Sequence, residues 1–229
     1  MSHFGQGLLI ATALAASPLA AAPAPVGDIG QINGSIVVAA GQVAGNVSTI
    51  NGGIQLEDKA GAAGVHTVNG SITLGAGTAV QSVDTVNGSI SVGAGGRVAD
   101  AITAVNGAIL LGSSADVAGR LTNVNGKIEL HAAHVGGGIE TVSGEIAIGA
   151  HSRIEGGIVV KKSCNKGFWS WLYGWSYCQR QLVVIGPDAI VHGPLRFEHD
   201  VKLYVSARAR IGAVEGAKAM LYSGDRPPI

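Results

Sequence analysis

Seven times between residues 32 and 148 the chain returns to an aliphatic residue, a two-residue turn signal and an isoleucine: INGSIVV at 32, INGGIQL at 50, VNGSITL at 68, VNGSISV at 86, VNGAILL at 105, VNGKIEL at 124 and VSGEIAI at 142. The steps between them are 18, 18, 18, 19, 19 and 18 residues. A period near 18 is too short for a helix pair and suits one coil of a solenoid built from strands. Within the third unit the apolar positions are Val68, Ile72, Leu74, Val80 and Val83. That spacing does not trace a helix face, and Ile72-Thr73-Leu74 alternates as a strand does. Asn-Gly suits a tight corner that visits the left-handed backbone region, and Gly75 and Gly77 mark a second corner.

Stacked coils place like residues upon like. Ile36, Ile54, Ile72, Ile90, Ile109, Ile128 and Ile146 become one buried column, and Asn33, Asn51, Asn69, Asn87, Asn106 and Asn125 become a ladder of corner amides, ended by Ser143. The ladder reads as structural, each side chain serving its turn. The expectation is an all-β chain: a single-stranded parallel β-helix of eight to nine coils. Coils cover residues 29–160 and 182–216, with one interruption at 161–181 and a tail at 217–229. Composition agrees, since 36 glycines among 229 residues and only 13% charged residues suit a regular, glycine-punctuated chain better than an ordinary globular one.

The interruption, KKSCNKGFWSWLYGWSYCQRQ, holds nearly everything chemically distinctive. All three tryptophans and six of the ten aromatic residues lie between Phe168 and Tyr177. Trp169, Trp171, Tyr173, Trp175 and Tyr177 are spaced at twos and share a face if extended, or form two facing rows if the chain turns at Leu172 to Gly174. Cys164 and Cys178, the only cysteines, flank them. In an exported protein they are expected to pair, closing a loop worth about 3 kcal/mol. Lys161, Lys162, Lys166 and Arg180 surround the aromatics. Either the aromatics fold over the solenoid flank, or they form an exposed contact patch for a glycan, a membrane surface or a protein partner.

Leu8 to Ala22 is an apolar, alanine-rich stretch of about 15 residues followed by small residues and prolines, the pattern of a secretory signal over roughly residues 1–22. The expectation is export to the periplasm or cell surface. The formal net charge is zero, but residues 1–160 carry 5 basic and 10 acidic side chains while 161–229 carry 10 and 5. That division argues against a nucleic-acid binder. Acidic residues such as Glu57, Asp84, Asp100, Asp116, Glu129 and Glu145 shift place from coil to coil, unlike the clustered carboxylates of a β-helix lyase or hydrolase. The histidines His66, His131, His134, His151, His192 and His199 are scattered, with His131 and His134 the closest pair. The reading is therefore non-enzymatic, with no metal or cofactor, and with self-association through open solenoid ends as a further expectation.

The VNGSI units followed by GAG resemble the β-strand repeats of bacterial adhesin-like proteins of unknown function. VVIGPDAIVHGPLRF, residues 183 to 197, resembles the windings of bactofilins, a polymer-forming cytoskeletal family. The resemblance spans most of residues 29–216 and implies a parallel, right-handed β-helix with structural or self-assembling roles. The hexapeptide acyltransferases share 18-residue coils, and Val68, Leu74, Val80 and Val86 fall at sixes. That family needs a histidine beside an acyl-donor pocket, and the scattered histidines offer no such arrangement.

Overall fold

The structure is a computed structural model, which describes residues 26–162, 181–224 and 226–228. Among them there are strands and turns but no helix, so no helix is long and apolar enough to cross a membrane. The chain winds as a parallel β-solenoid, and each full coil contributes three strand segments separated by corners.

The first face is a ten-stranded parallel sheet running from Ile36–Val38 through Ile54–Leu56, Ile72–Leu74 and their successors to Ala219–Tyr222. The second consists of two-residue strands such as Arg97–Val98 and Asp116–Val117, and the third of strands such as Val47–Asn51 and Ile102–Asn106. In two coils the second and third faces run together as nine-residue strands, Gly61–Asn69 and Ala79–Asn87. Ten rungs on the first face make ten coils, more than the eight to nine expected. The additional rung is Ala219–Tyr222, within the 217–229 segment expected to be a tail. At about 4.8 Å per strand spacing the stack is roughly 43 Å long.

Register follows from the columns. The isoleucines pair Ile36 with Ile54, Ile54 with Ile72, Ile72 with Ile90, and so on to Ile146, which pairs with Val183. Each is nearly or wholly buried. Two residues on, Val38, Leu56, Leu74, Val92, Leu111, Leu130 and Ile148 form a second core column. A one-residue slip would turn both columns outward, so burial of roughly 2 kcal/mol per large aliphatic side chain locks each coil onto its neighbours.

Two corners obey different rules. After each of the first eight first-face strands comes a corner whose residue has positive φ: Gly41, Lys59, Gly77, Gly95, Ser114, Ala132, His151 and Asp188. Glycine is convenient there but other residues stand in the same conformation. The Asn-Gly corner is more demanding. Gly52, Gly70, Gly88, Gly107, Gly126 and Gly144 stack so closely that a Cβ on any of them would lie 1.9–2.1 Å from the carbonyl oxygen of the glycine one coil earlier. Gly52 and Gly70 are not in the left-handed region at all, so packing and not torsion requires glycine there.

Polar side chains complete this corner. The exposed amides of the ladder hydrogen-bond from Nδ2 of each Asn to Oδ1 of the one before, Asn51 to Asn33, Asn69 to Asn51, Asn87 to Asn69 and Asn106 to Asn87, at 2.9–3.0 Å. Asn125 keeps the register opposite Asn106. Beneath them the buried hydroxyls of Thr49, Thr67 and Thr85 donate to the carbonyls of Gly34, Gly52 and Gly70. Asn123 takes over that inner position and donates to Gly107 and Gly126.

Candidate contact site

The interruption falls on the Asn-Gly corner. On the third face Thr141 pairs with Val160, and on the first face Ile146 pairs with Val183, both in the standing register. Two residues, Gly144 and Glu145, normally join these faces; here Val160 and Gln181 are joined by residues 161–180. The stack therefore closes over the excursion without a shift. The glycine column ends at Gly144, in the coil before this corner, and the amide ladder has already ended at Asn125, opposite Ser143.

Both ends of the excursion are pinned. Lys161 reaches Glu140, whose other oxygen accepts from Arg120 Nη1 at 3.0 Å, so one carboxylate ties three successive coils. Hydrogen bonding from Lys161 and the added field of Lys161 and Arg120 hold the Glu140 carboxyl below its usual pKa, against the opposing effect of burial. The backbone N–H of Lys162 donates to Glu198 Oε2 at 3.0 Å. On the return side Gln181 is buried and donates from Nε2 to the Val142 carbonyl at 2.7 Å, while its own Oε1, like Nδ1 of His199, is buried without a partner.

Lys161 and Lys162 are thus at the base of the site, exposed. Lys166, Phe168, Trp169, Trp171, Tyr173, Trp175, Tyr177 and Arg180, together with Cys164, Cys178 and their expected disulfide, lie outside the described residues. So do residues 1–22, read as a signal.

Beside the return strand a groove of about 550 Å³ runs over the outer side of the first face. Its floor includes Ala147, Leu182 and Val184, and Glu129, Tyr222 and Arg226 line it further. Glu129 is bound on both sides, by Lys127 Nζ at 2.7 Å and His131 Nε2 at 3.2 Å. Lys127 is the main cause of its lowered pKa. Glu129 and Glu145, neighbours on one flank in the sequence, both line this groove.

The histidines are less scattered than their positions in the sequence suggest. His134 Nδ1 meets Asp116 Oδ1 at 2.5 Å one coil below, and His134 Nε2 lies 3.8 Å from Glu155 Oε1 on the coil above. His192 Nδ1 reaches the other oxygen of Glu155, and Arg153 Nε binds Glu155 at 2.5 Å. His134 therefore pairs with carboxylates across coils and not with His131, the closest histidine in sequence. Hydrogen bonds from Arg153 and then His192 bring the Glu155 carboxyl down to about 2. Among the described residues no group of three or more His, Cys, Asp or Glu is arranged to hold a metal ion. The sequence hides this chain of contacts because residues 163–180 separate Glu155 from His192; with the insertion removed, a step of 19 residues from Ile154 to Val191 aligns them.

No family model, no curated protein and no solved structure matches the chain.

Proposed function

We propose that this protein is an exported, non-enzymatic structural or adhesive element of a bacterial envelope, a right-handed adhesin-like β-solenoid that presents residues 163–180 as its contact site. The observation that carries this reading is the position of the insertion: an excursion pinned at Lys161, Lys162 and Gln181, at a corner across which the stack keeps its register despite the added residues. Chemically distinctive side chains gathered where the scaffold does not depend on them suit a recognition element on a rigid support. The Cys164–Cys178 disulfide closes that element, the aromatic side chains make the contact, and Lys161, Lys162, Lys166 and Arg180 ring it. A glycan, a membrane surface or a protein partner fits this chemistry.

Tryptophan emission tests the reading, because all three indoles lie in this segment. Titration with anionic vesicles or cell-wall glycan should shift the emission to the blue with one of the two, and replacing Trp169, Trp171 and Trp175 by Ala should remove the binding. Emission unmoved by either additive, with binding intact in the triple variant, would sink it.

A second reading, a bactofilin-like self-assembling scaffold, is favoured by the last coil, where Leu221 continues a core column yet is 73% exposed.

A further inference from the structure

We propose that copies of this protein join head to tail, the basic C-terminal coil of one rod seating the acidic N-terminal coil of the next. The proposal rests on the self-assembling reading and adds a polarity to it.

The second core column gives the first argument. From Val38 to Val205 its members are no more than 2% exposed. Leu221 is the next residue in register, opposite Val205, and no described coil covers it. Its neighbour Met220 is also exposed. A large aliphatic side chain in a core position with a bare outer side is stabilised by one more coil of the same kind. The tail does not supply that coil: Tyr222 sends its hydroxyl back to the Ile185 carbonyl, and Arg226 and Pro227 line the groove on the flank.

The backbone gives the second. Among the described residues, Arg210–Ile211, Val214–Glu215 and Ala219–Tyr222 each pair on one side only, with the preceding coil. At the other end Ile29–Asn33 and Ile36–Val38 pair only with the following coil. Open strand edges of this kind are templates for a further strand. Laying the N-terminal edge on the C-terminal edge extends the same parallel ladder, with Ile36 over Ala219 and Val38 over Leu221. Two like ends cannot do this in parallel register.

Charge selects the same arrangement. Residues 26–60, the first coil and the adjoining corner of the second, carry Asp28, Glu57 and Asp58 against Lys59 alone. Residues 201–229 carry Lys202, Arg208, Arg210, Lys218 and Arg226 against Glu215 and Asp225. Unlike ends attract, like ends repel, and salt screens both effects. The resulting interface is heterologous and does not close on itself, so the assembly is an open linear one.

The test has two arms. Sedimentation velocity of the purified protein over a concentration series should show a mass that rises with concentration, more at low salt than at high. Leu221→Lys, a change at an exposed side chain, should leave the far-ultraviolet spectrum unaltered and weaken association about tenfold or more. Polarity is read by cross-linking Val37→Cys with Met220→Cys, which lie in the same outward column at opposite ends and are both exposed. A mixture of the two single variants treated with a short bis-maleimide should give links between residues 37 and 220, above the background of the parent protein. Links within the Val37→Cys variant alone would overturn the polarity while leaving self-assembly standing. A strict monomer at every concentration and salt would overturn both.

Discussion

Replacing Gly70 by Ala should damage this fold far more than a glycine-to-alanine change at an ordinary turn. An ideal Cβ at residue 70 would lie 1.9 Å from the Gly52 carbonyl oxygen and 2.4 Å from its carbon, both backbone atoms that no rotamer change can move. Real Cβ contacts are essentially never under 3.0 Å, so the two coils must part by about 1.1 Å at this corner. Three hydrogen bonds span the gap: Asn69 Nδ2 to Asn51 Oδ1 at 2.9 Å, Gly52 N–H to the Asn69 carbonyl at 3.0 Å, and Thr67 Oγ1 to the Gly52 carbonyl at 3.0 Å. At about 1 kcal/mol each, with a further 1–3 kcal/mol for forced displacement in a packed interior, the loss comes to roughly 4–6 kcal/mol. Gly95→Ala is the internal control. Gly95 has φ +65° and nothing within 4 Å of its Cβ position, so only the left-handed backbone cost of about 1–2 kcal/mol applies. Chemical denaturation of both variants beside the parent measures the difference. Equal shifts in midpoint for Gly70→Ala and Gly95→Ala would refute the claim that carbonyl stacking, and not turn conformation, sets this position.

Three other outcomes follow from the same geometry. Ile109→Ala, in the fully buried column, should cost about 2–5 kcal/mol, whereas Val37→Ser, at an outward position that later coils fill with Gln55 and Thr73, should stay within about 0.5 kcal/mol of the parent in the same denaturation series. Acid should loosen the contacts around Glu155: its folded pKa of about 2 lies below the usual 4.5, so its contribution is present above pH 4.5 and is lost as pH falls toward 2. Thermal melts from pH 5 to pH 2 should therefore drop more steeply for the parent than for Glu155→Gln, and parallel curves would contradict the assignment. Glu140→Gln should lower stability by no more than about 1 kcal/mol, because Arg120 and Lys161 are half exposed, yet it should raise the rate of proteolysis next to Lys161; unchanged cleavage would deny it a role in pinning the excursion.

The columns were readable in the sequence because a parallel stack repeats its chemistry at every rung: an isoleucine each 18 or 19 residues fixes the register without any knowledge of handedness. Two features escaped that logic. The tenth rung, Ala219–Tyr222, has neither Asn-Gly nor Ile-x-Leu, and only its pairing with Leu203 and Val205 shows that Ala219 and Leu221 continue the core columns. The Asn-Gly glycines were read as a torsional requirement, but Gly52 and Gly70 are not in the left-handed region, and their constraint comes from a carbonyl 18 residues away in sequence. The lysines at the base of the excursion were recognised as basic surroundings of the aromatics. That Lys161 is engaged by Glu140 depends on the stacking of three coils and could not be seen along the chain.

Excising residues 163–180 and joining Lys162 directly to Gln181, which restores the four-residue step that residues 142–145 make in the coil before, tests most directly the claim that the stack and the contact site are separable. The account predicts the same denaturation midpoint and the same β-rich far-ultraviolet spectrum as the parent, with binding to vesicles or glycan abolished. A variant that fails to fold, or that folds and still binds, would contradict it.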